Sequence, residues 1–281
     1  MFQKILFPVD FSPPCIAMAP YVKRAETIFR ANVTLVHACN LASNNGFELY
    51  ERRPDEIAED HWNLAREKLT LFLAHDFPPG PGSRLLLAGD PGEAITLAAT
   101  RGNFDVIMLP THAGYFRRML LGSTTTKVLD SAACPVLTTL HADTVVPRSA
   151  EHRRWVCAIG LSADSERILE CAKSASLAAN AKLSIIHAMR PNKGGFGGSG
   201  PHEEEQIVRH RLAELQSAVG LDAATPVRLA VGPVKQTLLH EVIQESADVL
   251  VIGRSAQQRS GRLGDLAYSL VRDSPCPVVS V

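Results

Sequence analysis

Asp10, His37 and the run Gly122-Ser123-Thr124 are the residues of this 281-residue chain whose types and spacing point to chemistry. Each stands where a short apolar run ends or a helical pattern begins. A Gly followed by two hydroxyl residues at a helix start offers free N–H groups and side-chain donors together, which is what an anion such as a phosphate requires. Gly122 lets the backbone approach closely, and Ser123 and Thr124 add donors. Plainer readings stand beside these. Asp10 could be the N-cap of the next helix, and Ser123 and Thr124 ordinary caps. His37, like His187, reads as a strand-end histidine satisfied by its neighbours rather than as a base.

These residues must be held by something, and the hydrophobic pattern supplies it. In the first half, Val-, Ile- and Leu-rich runs at about 3–9, 32–38, 83–88, 105–109 and 135–140 read as strands buried on both faces. Amphipathic helices at about 14–30, 55–76, 91–101 and 122–131 alternate with them. Asp90-Pro91 has the form of an N-cap followed by proline at the first helical position. The βαβα order argues for a parallel sheet with helices on both faces. In such a sheet the ligand crevice lies beyond the carboxyl ends of the strands. Pro8 to Ser12, His37-Ala38, Gly89-Asp90, Pro110 to Gly114 and Leu121 to Thr124 therefore form one group. His112, Arg117 and Arg118 fall in the loop facing that crevice, where they would bring positive charge to a triphosphate or form a solvated basic loop.

The whole pattern occurs twice. Lys4 to Ser12 falls on Arg154 to Ser162, and Ala31 to Ala38 on Ala181 to Ala188, with no gap in register. Further on, Phe104 to Pro110 meets Ala247 to Gly253, and Cys134-Pro135-Val136 meets Cys276-Pro277-Val278. The expected architecture is α/β, with two tandem Rossmann-like domains over 1–142 and 153–281. Each is expected to be an open, five-stranded, mostly parallel sheet. His141 to Arg153 reads as the linker, and the glycine-rich run Pro191 to Pro201 as a mobile loop rather than a phosphate loop, since it lacks GK[ST].

Basic and acidic residues both number 29, and neither half is a basic module, so nucleic acid and anionic membranes are not expected partners. No run approaches the roughly 18 apolar residues of a membrane span. The first apolar run reaches Asp10 too soon for a signal peptide, so a cytoplasmic protein is expected. The six cysteines have no CxxC or clustered Cys/His spacing, and read as ordinary thiols.

Taken together, Val9-Asp10-Phe11-Ser12, His37-Ala38, Gly122-Ser123 and Cys134-Pro135-Val136 resemble the universal stress protein family, once per half. The resemblance implies an ATP site, with Mg, in the first half. Asp10 would contact the base or ribose, the Ala38 backbone would border the adenine, and Gly122, Ser123 and Thr124 would hold phosphates. ATP-binding members resemble one another in a loop of Gly, two residues, Gly, nine residues, then Gly-Ser or Gly-Thr. Here Pro110 and Ala113 stand at the two glycines, eight residues precede Gly122, and Gly114 partly compensates. Proline has no N–H to donate and alanine resists positive φ. The second half departs further, with Gly160 for the acid, Ala256 in the loop and Gly264-Asp265 for Gly-Ser. A carboxylate at that helix start repels phosphate, so the second half is expected to be a pseudo-symmetric partner that binds no ATP.

Two functions follow from this reading: a nucleotide-responsive stress protein, or a stress-response interaction scaffold without nucleotide, acting on protein partners the sequence does not name. The resemblance also implies pairing of the two halves as an intramolecular pseudo-dimer, or of two chains as a homodimer. A dedicated enzyme is the weakest reading, because no nucleophile set or metal cluster can be assembled.

Overall fold

The computed structural model describes residues 2–40, 54–111, 121–139, 153–190, 201–254 and 264–281. The chain divides into two compact units, Phe2–Pro147 and Arg148–Val281. His112, Ala113, Gly114, Arg117 and Arg118, the residues 141–152 of the expected linker and the glycine-rich run 191–200 lie outside the described residues.

The first unit runs β1 (Lys4–Pro8), α1 (Pro13–Phe29), β2 (Asn32–Cys39), α2 (Pro54–Leu71), β3 (Arg84–Ala88), α3 (Pro91–Arg101), β4 (Val106–Pro110), α4 (Ser123–Ser131) and β5 (Val136–Thr139). Its strands lie in the order β3-β2-β1-β4-β5, and every pairing within it is parallel. Successive strand residues point to opposite faces. Ile5, Leu6 and Phe7 are all fully buried, so both faces of β1 are covered. Each such side chain contributes roughly 1.5–3 kcal/mol by leaving water. Helices supply the cover: α1 packs on β2 and β4, α2 on β2 and β3, and α3 on β2, β3 and α4.

Local chemistry sets the helix starts. Asp90 caps α3 by accepting the Glu93 N–H at 3.2 Å, and Pro91 follows it. Gly92 lies so close to α4 that a Cβ there would come within 2.5 Å of the Lys127 side chain. The absence of a side chain thus lets α3 approach α4. Lys127 in turn donates to Asp90 Oδ2 at 2.8 Å, tying the starts of these helices together.

The helix expected over 55–76 stops at Leu71. Leu73 adopts φ 53°, and the turn that follows carries Phe77 into the core, where it meets Phe7 edge to face. The Arg84 guanidinium donates to the carbonyls of Leu69, Phe72 and Phe77, at 2.9, 3.3 and 2.6 Å. Periodicity alone cannot anticipate a strand residue that collects the carbonyls of a helix end.

The second unit repeats the plan with β6 (Arg154–Ala158), α5 (Ser165–Ala178), β7 (Lys182–Met189), α6 (Pro201–Ala218), β8 (Val227–Val231), α7 (Val234–Gln244), β9 (Val249–Ile252), α8 (Asp265–Asp273) and β10 (Val278–Ser280). Its order is β8-β7-β6-β9-β10, again parallel. The repeat extends to single backbone angles. Phe11 and Leu161 have φ 65° and 54°, Arg30 and Asn180 49° and 50°, and Asn103 and Ser246 48° and 49°. All six cysteines are free thiols. Among the described residues, no helix is long and apolar enough to cross a membrane.

Replacing Arg84 by Met leaves those three carbonyls without their charged donor. The variant is expected to lose about 1.5–3 kcal/mol of stability, read by urea denaturation. Wild-type stability would contradict the role given to the guanidinium.

Candidate functional site

The site is assembled where β1, β2 and β4 end. Crossovers from β1 and β4 leave to opposite sides of the sheet order, which makes the gap between these strands the switch point of the first unit. A cavity of about 130 Å³ opens there, and Asp10, Ala38, Pro110 and Thr124 share its walls with Cys15 and Ile95. Gly122 and Ser123 are the N-cap and first residue of α4, directly before Thr124. Four of the eight residues singled out in sequence thus meet at one cavity, and two more open the helix beside it. The other two, His112 and Gly114, lie outside the described residues.

Asp10 is not the N-cap of α1. That position belongs to Ser12, whose side chain makes no capping bond. Instead Asp10 Oδ1 accepts the Ser12 N–H at 3.0 Å, an Asx turn, and the Cys15 thiol at 3.1 Å. Burial pushes the Cys15 thiol up to about 12, so it serves as a hydrogen-bond donor and not as a nucleophile.

Between Asp10 and Ser12, Phe11 turns the chain with its positive φ. Its ring packs 4.4 Å from the His37 ring and 5.3 Å from Phe72, measured between centroids. His37 Nδ1 lies 2.7 Å from the Val9 carbonyl, and His187 Nδ1 2.7 Å from that of Ile159. A carbonyl only accepts, so Nδ1 carries the hydrogen and the ring ties β2 to the end of β1. His37 and His187 are satisfied by strand ends, in both units alike.

At the start of α4, Gly122 has extended backbone and no side-chain cap. Thr126 Oγ1 donates back to the Gly122 carbonyl at 3.1 Å. The capping role considered for Ser123 and Thr124 is therefore not the one they play here, and the first-turn N–H groups have no side-chain acceptor at the cap. Thr125, not singled out in sequence, is almost fully buried and lines the same cavity. Lys127, the nearest cation along α4, is already paired with Asp90, which holds the Asp90 carboxyl below its ordinary range.

The second unit has a counterpart cavity of about 180 Å³, with Gly160 in the place of Asp10, Ala188 of Ala38, Gly253 of Pro110, Leu266 of Thr124 and Ala267 of Thr125. Asp265 opens α8 beside it, where Ser123 opens α4.

A family profile described as the universal stress protein family matches residues 1–139 and again 151–281. A universal stress protein of Thermus aquaticus is 31% identical over 145 residues, which span 49% of this chain and 98% of that protein. A universal stress protein from Archaeoglobus fulgidus DSM 4304 has a crystal structure similar in fold, with TM-score 0.72 and 21% identity. It covers 100% of this chain and 98% of its own. A Pseudomonas aeruginosa UCBPP-PA14 structure covers 100% and 93%, with TM-score 0.63 and 16% identity.

Because its pKa rises from 9.0 to about 12 on folding, the Cys15 thiol supports the fold fully below pH 9 and loses that contribution as pH climbs toward 12. In native protein at about pH 8, iodoacetamide is expected to leave Cys15 unmodified, whereas unfolded chain reacts. Peptide mass spectrometry reads the difference, and rapid alkylation of Cys15 in folded protein would contradict the geometry.

Proposed function

Because the chain belongs to the universal stress protein family, in its tandem form, we propose that this stress-response protein binds an adenine nucleotide, ATP, in its first unit, with Mg arriving on the phosphates. The observation that carries this reading is the convergence of Asp10, Ala38 and Thr124 on one cavity beside a helix start with no side-chain cap. The described walls enclose about 130 Å³, less than the roughly 300–1,000 Å³ of a complete ligand pocket. They therefore suit the heterocyclic end of a ligand whose charged end lies outside.

In this reading the adenine lies against the Ala38 backbone, and the Asp10 carboxylate receives a hydrogen bond from the base or ribose. The exposed N–H groups and hydroxyls of Gly122, Ser123 and Thr124 meet phosphate oxygens, where the positive end of the α4 dipole favours negative charge. Pro110 closes β4, and His112 and Gly114 follow it in the sequence before α4, with His112 as a donor to phosphate. Occupancy would alter what the unit presents to a protein partner. The second unit, with Asp265 at the matching helix start, stays free of ATP.

A scaffold without nucleotide is the second reading, and Pro110 is the observation that favours it. Proline at the head of the connection offers no N–H to a phosphate.

Mg-ATP at 100 times its Kd is expected to stabilise the protein by about 2.7 kcal/mol, read as a rise in melting temperature. Gly122→Trp is expected to abolish the rise, since among the described residues its Cβ meets only the Thr125 hydroxyl, at 3.9 Å, and the indole then covers the start of α4. No rise at millimolar Mg-ATP favours the scaffold. A rise retained in the Gly122→Trp variant shows that the nucleotide sits elsewhere.

A further inference from the structure

Asp10 reaches the first crevice from an exposed position between β1 and α1, where a carboxylate would ordinarily rotate freely. It is restrained here because one of its oxygens is held twice. Oδ1 accepts the Ser12 N–H at 3.0 Å and the Cys15 thiol at 3.1 Å. The backbone bond closes a local turn that an Asp followed by a suitable chain makes unaided. The thiol bond is of another kind, because it comes from inside α1 and from a residue only 1% exposed.

The surroundings of Cys15 make it a fixed donor. Pro13 and Pro14 open α1, and their rings lock φ over the two residues before it. The Cys15 N–H donates to the Ser12 carbonyl at 3.1 Å, which sets the residue against the turn. The Ser12 hydroxyl donates to the sulfur at 3.7 Å, and the thiol hydrogen goes to the acid, since the Pro8 carbonyl is farther away at 4.0 Å. Burial pushes the thiol up to about 12, so the hydrogen stays in place. A hydrogen bond from a shielded donor to a carboxylate is stronger than its counterpart in water.

The second unit supplies the comparison. Its Ser165 N–H donates to the Ser162 carbonyl, also at 3.1 Å, so Ser165 holds the place of Cys15. Gly160 holds the place of Asp10, and the buried Ser165 hydroxyl has no hydrogen-bond partner among the described residues. A buried donor at this position is satisfied where the acid is present and orphaned where it is absent.

We propose that Cys15 is a positioning residue for the ligand of the first unit: with the Ser12 N–H, its thiol fixes the Asp10 carboxylate to receive an N–H or O–H of the ligand. The inference rests on the nucleotide reading of that unit. A carboxylate already oriented has less freedom to lose when the ligand arrives, so the thiol contributes to affinity through the acid.

Calorimetric titration of Mg-ATP into the full chain tests this, with Cys15→Ala, Cys15→Ser, Asp10→Ala and the Asp10→Ala/Cys15→Ala double variant. Cys15→Ala is expected to weaken binding about tenfold, the scale of one hydrogen bond to a charged group. Cys15→Ser keeps a donor and is expected to recover most of that loss. In the Asp10→Ala background, Cys15→Ala is expected to change nothing further, because the acceptor of the thiol is gone. If Cys15→Ala does not fold, Cys15→Val, equally without a donor, takes its place. ATP bound alike by wild type and the donorless variant overturns the proposal, as does Cys15→Ser binding as weakly as Cys15→Ala. Equal losses with and without Asp10 also overturn it, because they assign Cys15 to packing alone. No Mg-ATP binding to wild type overturns the nucleotide reading and this inference together.

Discussion

A side-chain-bearing residue with positive φ follows the first strand in each unit, Phe11 in one and Leu161 in the other. Such a backbone costs on the order of 1–3 kcal/mol and persists only where its surroundings over-determine it. In the first unit those surroundings are visible. The Phe11 ring is held between His37 and Phe72, and His37 is itself held by the Val9 carbonyl. This turn reverses the chain so that α1 can start at Pro13, and it brings the Ser12 N–H and the Cys15 thiol onto one oxygen of Asp10. The carboxylate at the crevice is thus placed by a strained residue, a histidine bond and a buried thiol acting together.

The same scaffold carries two different crevices because the bonds that hold it together recur in both units while several of the lining residues do not. The histidine bonds, the left-handed positions and the parallel register recur in both units. What changes lies on the inner walls, where Asp10, Thr124 and Thr125 become Gly160, Leu266 and Ala267. The parallel fold thus recurs with different side chains on these walls. At the helix start Asp265 stands where Ser123 stands, which sets a carboxylate at the positive end of the α8 dipole.

The strands were legible because their residues are apolar on both faces, and the repeat because equal spacing survives where identity does not. The helix start at Asp90-Pro91 was legible from its capping chemistry, which acts over three residues. The end of α2 was not, since it depends on Arg84 reaching back across more than ten residues to Leu69 and Phe72. At the site, Asp10, Ala38, Pro110 and Thr124 could be grouped by the rule that strand ends converge. Cys15, Thr125 and Phe11 could not, because a thiol, a threonine within a helix and a left-handed phenylalanine carry no sequence signal for the partners they meet in space. The recurrence of a turn residue at Phe11 and Leu161 is the nearest thing to one.

The central claim is an asymmetry between matched crevices, and the stoichiometry of Mg-ATP binding to the intact chain, measured by equilibrium dialysis, tests it most directly. One nucleotide per chain is the result the account predicts. Two per chain, with the second retained in Gly122→Trp, would contradict it, and so would none.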